Sequence, residues 1–246
     1  MKYEIVGDTL PVVICHLNKG EKMISDSGAM AWMDPCMKME TNGGGAGKII
    51  GRMFSGETLF RNSYTANKDG LIAFASSFPG KIVAIDVEPG KEVIIQKSAF
   101  LASEENVETS VFFNKKFSSG IFGGEGFIMQ KVEGDGMAFV HSGGTLAKKE
   151  LQSGELLRVD TGCLVGFTKD VDYDIEFVGG IKNTIFGGEG VFFATLRGPG
   201  TVYVQSLPFS RLAGRIYASA PQNGGSREEG SLLGGLGRML DGDNRF

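Results

Sequence analysis

Ile121-Phe122-Gly123-Gly124-Glu125-Gly126 returns letter for letter at Ile185-Phe186-Gly187-Gly188-Glu189-Gly190, 64 residues downstream. A weaker copy, Phe54-Ser55-Gly56-Glu57, lies upstream. Recurrence at a fixed interval marks a repeated structural unit and takes precedence over any local reading.

Two further marks recur between the copies. Gly154-Glu155 leads to Asp160-Thr161-Gly162 and Leu164, and 134 residues earlier Gly20-Glu21 leads to Asp26-Ser27-Gly28 and Met30. The middle version, Pro89-Gly90-Lys91-Glu92, reads as one residue longer, with Lys97 in place of the acid. The third mark is a hairpin signal. Lys68-Asp69-Gly70, Gly134-Asp135-Gly136 and Gly198-Pro199-Gly200 each precede an apolar run. Glycine there supplies the positive φ of a tight turn without steric cost. The marks keep their order. Gly20 to Gly56, Gly90 to Gly124 and Gly154 to Gly188 span 36, 34 and 34 residues.

Between the marks the pattern alternates. Val107, Thr109, Val111 and Phe113 alternate with Glu108, Ser110 and Phe112; Val171, Tyr173, Ile175 and Phe177 alternate with Asp172, Asp174 and Glu176. Met37 and Met39 stand beside Lys38 and Glu40. Period two puts the apolar set on one face of a strand. Ile82–Val87 and Val191–Ala194 read as more fully buried strands. No long helical periodicity is read before residue 220. The expectation is an all-β chain of three modules: 1–80, 81–148 and 149–219. A Gly-rich stretch, 220–246, is expected to be disordered. One module would bury only about 60% of its unfolded surface, so the three should share sheets and core.

Composition agrees. Gly accounts for 38 of 246 residues and Pro for only 7, which suits many turns between short strands. A net charge of -4 with mixed signs argues against a dedicated nucleic-acid binder. Cys15, Cys36 and Cys163 form no CxxC, so neither a disulfide framework nor a zinc site is expected. The opening residues lack the apolar core of a signal peptide, and the reading is a cytoplasmic protein.

Lys2-Tyr3-Glu4-Ile5, Ser27-Gly28-Ala29-Met30, Phe54-Ser55-Gly56-Glu57, Phe122-Gly123-Gly124-Glu125-Gly126 and Ser206-Leu207-Pro208-Phe209-Ser210-Arg211-Leu212 together carry a resemblance. From Met1 to about Ile216 the chain resembles a widespread bacterial and archaeal family related to the fungal altered-inheritance-of-mitochondria proteins. The resemblance implies three TRAP-like modules, each similar to the trp RNA-binding attenuation protein, of the double-stranded β-helix or β-sandwich type. It implies no established enzymatic activity. The mitochondrial relatives are linked to inner-membrane organisation, but mitochondrial targeting does not carry over to this N-terminus.

The chemistry-bearing residues support a non-enzymatic reading. Glu57, Glu125 and Glu189 could serve as bases or metal ligands. Their recurrence beside Gly56, Gly124 and Gly188 instead suits a carboxylate that accepts backbone hydrogen bonds in a structural turn. Only two histidines occur, His16 and His141, which is too few for a His-cluster metalloenzyme. Gly43-Gly44-Gly45-Ala46-Gly47-Lys48 fails as a phosphate loop, because Asn42 holds the first glycine position and Ile49 follows Lys48. Lys48, Ile49, Ile50, Arg52 and Met53 either fold back onto the core or form a contact for a protein partner or a membrane surface. Lys115-Lys116 and Lys148-Lys149 do not sit at matching repeat positions and read as solvated turns.

No cofactor is expected. The favoured function is an oligomeric scaffold or interaction protein, a homotrimeric ring whose principal partner is itself. An RNA- or small-ligand-binding ring is the alternative by analogy with the trp RNA-binding attenuation protein, and a metal-dependent enzyme ranks below both. If the Gly188 turn needs a conformation that disfavours a Cβ, Gly188→Val lowers stability by about 1–3 kcal/mol in urea unfolding; an unchanged midpoint would contradict the structural reading of the turn.

Overall fold

Alternating apolar residues and glycine turns produce nineteen strands and one α-helix in the computed structural model, which describes residues 1–41, 61–112, 127–177 and 192–220. The first strand is β1 (Lys2–Val6). Six follow: β2 (Val12–Leu17), β3 (Lys22–Asp26), β4 (Met30–Met33), β5 (Met37–Thr41), β6 (Arg61–Ala66) and β7 (Gly70–Ala75). The next six are β8 (Gly80–Val87), β9 (Val93–Gln96), β10 (Phe100–Glu104), β11 (Val107–Val111), β12 (Met129–Gly134) and β13 (Gly136–Gly143). The last six are β14 (Leu146–Leu151), β15 (Leu156–Asp160), β16 (Leu164–Thr168), β17 (Asp172–Phe177), β18 (Phe192–Arg197) and β19 (Gly200–Gln205). The helix, α1 (Phe209–Ser219), closes the described chain.

The strands form several antiparallel sheets. One runs β5-β6-β3-β10-β13-β8 and a second β11-β12-β9-β16-β19-β14, the same order with each strand advanced by six. The other two are β1-β2-β7-β4 and β15-β18-β17. Local detail recurs with the order. The register slips at Met30/Trp32 in β4, at Phe100/Ala102 in β10 and at Leu164/Gly166 in β16. Such bulges bend a strand and re-aim its side chains. Gly20, Gly90 and Gly154 have φ of 91°, 82° and 80°, the left-handed turn before β3, β9 and β15.

Register also corrects one sequence expectation. Asp26 faces Arg61, Gln96 faces Met129 and Asp160 faces Phe193. The middle copy therefore has no extra residue, and Gln96 rather than Lys97 takes the acid's place. Lys97 falls in the short 3-10 turn that follows.

The turns read as hairpin signals join strands of different sheets: β6 does not pair with β7, β12 with β13 or β18 with β19. A side-chain clasp that the sequence did not reveal instead ties each bulged strand to its sheet neighbour. Asp34 Oδ2 accepts from Leu71 N at 2.9 Å, Glu104 Oε2 from Met137 N at 2.7 Å and Thr168 Oγ1 from Thr201 N at 3.0 Å. Each acceptor ends or follows the bulged strand, so the clasp ties that strand's end to the start of its neighbour. Three different residue types do this, which is why no letter pattern exposed it.

The core is apolar and shared between successive strand sets. Val13, Met23, Ile72 and Phe74 from the first set pack with Leu101, Ala102 and Phe139 from the second. Burying one such large side chain contributes about 1.5–3 kcal/mol. Val107, Val171 and Tyr173 are buried as their alternation predicts. Met39 differs: it is 42% exposed, because β5 ends its sheet and has only β6 beside it among the described residues. Ile85 in β8 and Phe192 in β18 are half-buried rather than core. The reading of no long helical periodicity before residue 220 misses α1, a helix of 11 residues in which Phe209, Leu212 and Ile216 stand at helical spacing. Pro208 precedes its first turn, and its carbonyl accepts from Arg211 N and Leu212 N.

His141 on β13 is buried, with its ring edge-on to Phe78 at 4.5 Å. Burial pulls its pKa down to about 4, against a smaller upward pull from a backbone hydrogen bond with Phe78. The folded state thus keeps this imidazole neutral where the unfolded chain would protonate it. The stability is fully present above about pH 6.5 and lost as pH falls toward about 4. Acidification through this window should cost about 2–3 kcal/mol. The slope, read from urea midpoints, should flatten in His141→Phe.

Candidate functional site

Lys48, Ile49, Ile50, Arg52, Met53, Gly56, Glu57, Gly124, Glu125, Gly188 and Glu189 all lie outside the described residues. Among the described residues no group of three or more His, Cys, Asp or Glu side chains is arranged to hold a metal ion. Cys15 is buried, and desolvation pushes its thiol up to about 12, so it is a packing residue rather than a nucleophile.

The distinctive geometry lies instead where one strand set meets the next. β3 pairs with β10, with Ala102 opposite Ser25, Ser103 opposite Ile24 and Glu104 opposite Met23. β9 pairs with β16 in the same way: Gly166 opposite Ile95, Phe167 opposite Ile94 and Thr168 opposite Val93. These joints fuse two half-sheets into a six-stranded whole.

Side chains differ between the joints. In the first, the Arg61 guanidinium lies 4.2 Å from the Phe100 ring centroid and donates to Gln130 Oε1 at 3.3 Å. Its Nε is 3.7 Å from Asp26 Oδ1, too long for a hydrogen bond. Burial pushes the Asp26 carboxyl up, more than Arg61 and Lys97 pull it down, and burial likewise lowers Arg61. The pair is close, but desolvation dominates it. At the rim, Lys22 Nζ meets Glu105 Oε1 at 2.6 Å. In the second joint Met129 and Leu164 replace Arg61 and Phe100 and share an apolar cluster. Lys169 N donates there to the Glu92 carbonyl at 3.2 Å, and Lys169 Nζ to the Gly90 carbonyl.

Two strands of these types end their sheets. Among the described residues β4 has only β7 beside it, and β15 only β18. Both edges carry apolar side chains into solvent: Trp32 is 46% exposed and Leu156 is 53% exposed. An open edge presents unpaired N–H and C=O groups and readily templates another strand. Near its end β15 is braced by Asp160 Oδ1, which accepts from Gly162 N at 2.8 Å, while Asp160 Oδ2 accepts from the Arg211 guanidinium at 3.3 Å.

Recurring antiparallel strand sets with an open edge at each end define a repetitive β protein. Residues 3–207 match the family described as mitochondrial biogenesis AIM24, and the chain belongs to that family. It is 31% identical over 221 residues to an uncharacterized protein of Streptococcus pyogenes serotype M6, across 86% of this chain and 87% of the relative. It also shares its fold with the crystal structure of a Streptococcus pyogenes protein from a structural genomics programme. The TM-score is 0.76 at 28% identity, with 89% of this chain and 99% of the other covered.

Equivalence of the joints yields a direct test. Arg61→Ala removes the nearest counter-charge of the half-buried Asp26 carboxyl together with the Phe100 and Gln130 contacts, and should cost about 1–3 kcal/mol. The double change Asp26→Gln with Arg61→Met copies Gln96 and Met129 from the second joint and should be neutral or stabilising. A double variant in urea unfolding that is as unstable as the single one would contradict the equivalence.

Proposed function

We propose that the chain is a non-enzymatic scaffold that works as a homo-oligomer. We read β2–β7, β8–β13 and β14–β19 as three modules similar to the trp RNA-binding attenuation protein, joined in an arc. The carrying observation is the pair of open edges, β4 and β15, left over when every other strand of their types is paired across a joint. A cytoplasmic location accompanies this reading. Among the described residues no helix is long and apolar enough to cross a membrane.

Head-to-tail contacts either close into a ring or run on as a filament. With the curvature of the relative's ring, three modules turn through too small an angle to close alone. Three copies, supplying about nine modules, form the closed assembly this reading favours. Light scattering at micromolar concentration should give three times the 26.3 kDa chain mass; a persistent monomer would contradict the reading. Metal analysis of the purified protein should show no stoichiometric zinc, iron or manganese. About one ion per chain would contradict its non-enzymatic part.

A further inference from the structure

Resting on that reading, we infer that the contact between copies is a third joint, in which β4 of one copy pairs antiparallel with β15 of the next, with Trp32 opposite Val159. The strand orders lead there. β3-β6-β5 and β9-β12-β11 each continue, through β3 or β9, into a sheet half ending in β8 or β14. Among the described residues β15-β18-β17 is the third member of the first series and has no continuation. β2-β7-β4 corresponds to β8-β13-β10 and β14-β19-β16, and no described strand lies beside β4 on its outer side. Each lone half-sheet is what the other lacks.

The register follows from the two formed joints. Trp32 shares its post-bulge place with Ala102 and Gly166. Val159 shares its place with Ser25 and Ile95, because all three precede the residue facing Arg61, Met129 or Phe193. Ala102 faces Ser25 and Gly166 faces Ile95, so Trp32 faces Val159 and Met33 faces Arg158. Two residues beyond, Pro35 meets Leu156. These stand where Glu105 and Lys22 make their ion pair in the first joint.

Exposure fits this placement. Ala102 is fully buried by its joint, whereas Trp32 is 46% exposed on the open edge. Size is the one departure. A Cβ at Gly166 would lie 2.5 Å from the Ile94 carbonyl, yet Ala102 shows that a Cβ is accommodated. The Trp32 ring is too large to stay between the strands and must lie across the face of the next copy's β15. A large, flat, half-exposed aromatic on an open edge is the chemistry of an interface anchor.

Trp32 is the single tryptophan of the chain, so the unmodified protein reports on this joint. Emission and acrylamide quenching are followed on dilution, alongside mass by light scattering. The expected result is a blue-shifted, protected tryptophan in the assembly that red-shifts and becomes quenchable as the mass falls. An assembly in which Trp32 stays as quenchable as in the free chain would overturn this joint while leaving the scaffold reading standing. Failure to assemble at any concentration would overturn both.

A variant pair tests register independently. Leu156→Lys alters an exposed side chain and should weaken assembly about tenfold. Adding Pro35→Glu recreates the Lys22–Glu105 arrangement and should restore most of the loss. Weakening without restoration would place the two residues apart and overturn the register.

Discussion

The pairing of β3 with β10, repeated by β9 with β16, is the contact on which the rest depends. In the first two strand sets the strand after the left-handed glycine, β3 or β9, lies outside the β2- or β8-containing half-sheet of its own set and hydrogen-bonds to the next set. No set therefore completes a six-stranded sheet alone, and in the two joined sheets each half relies on the other for backbone partners. Leaving those partners unmade is costly, because an unpaired buried N–H or C=O forfeits about 1–3 kcal/mol. The core follows the same logic: Phe139 of β13 packs among residues of the first set.

Backbone geometry at the joints is held constant while side chains vary. The bulge, the left-handed glycine before the pairing strand and the clasp onto the neighbouring strand recur three times. An arginine over a phenylalanine serves the first joint, and a methionine with a leucine the second. Backbone hydrogen bonds supply the pairing, and cross-strand side chains distinguish one joint from another.

Much of the repetition was readable in the sequence where a residue type has a unique backbone role. Gly20, Gly90 and Gly154 were legible because few other residues adopt φ near 80–90° without strain. Val107 and Val171 were legible because one face of each strand meets a core. The clasp was hidden, since Asp34, Glu104 and Thr168 share an acceptor oxygen and no letter. Arg61 was missed because its importance comes from Phe100 and Gln130, distant in sequence. Helix α1 escaped because its apolar positions, Phe209, Leu212 and Ile216, span only about three turns. The open edges are a property of strand order, which no local pattern encodes. Trp32 therefore drew no attention in the sequence, and it is the exposed edge of β4 that gives it meaning.

Hydrogen exchange reads the central claim at the backbone itself. Peptides covering β4 and β15 are compared with those covering β10 and β3, at a concentration where the protein is assembled. If the open edges form a joint like the two within the chain, the outward amides of β4 and β15 exchange as slowly as those of β10 and β3, and become fast on dilution. Fast exchange at both edges in the assembled protein would contradict the account.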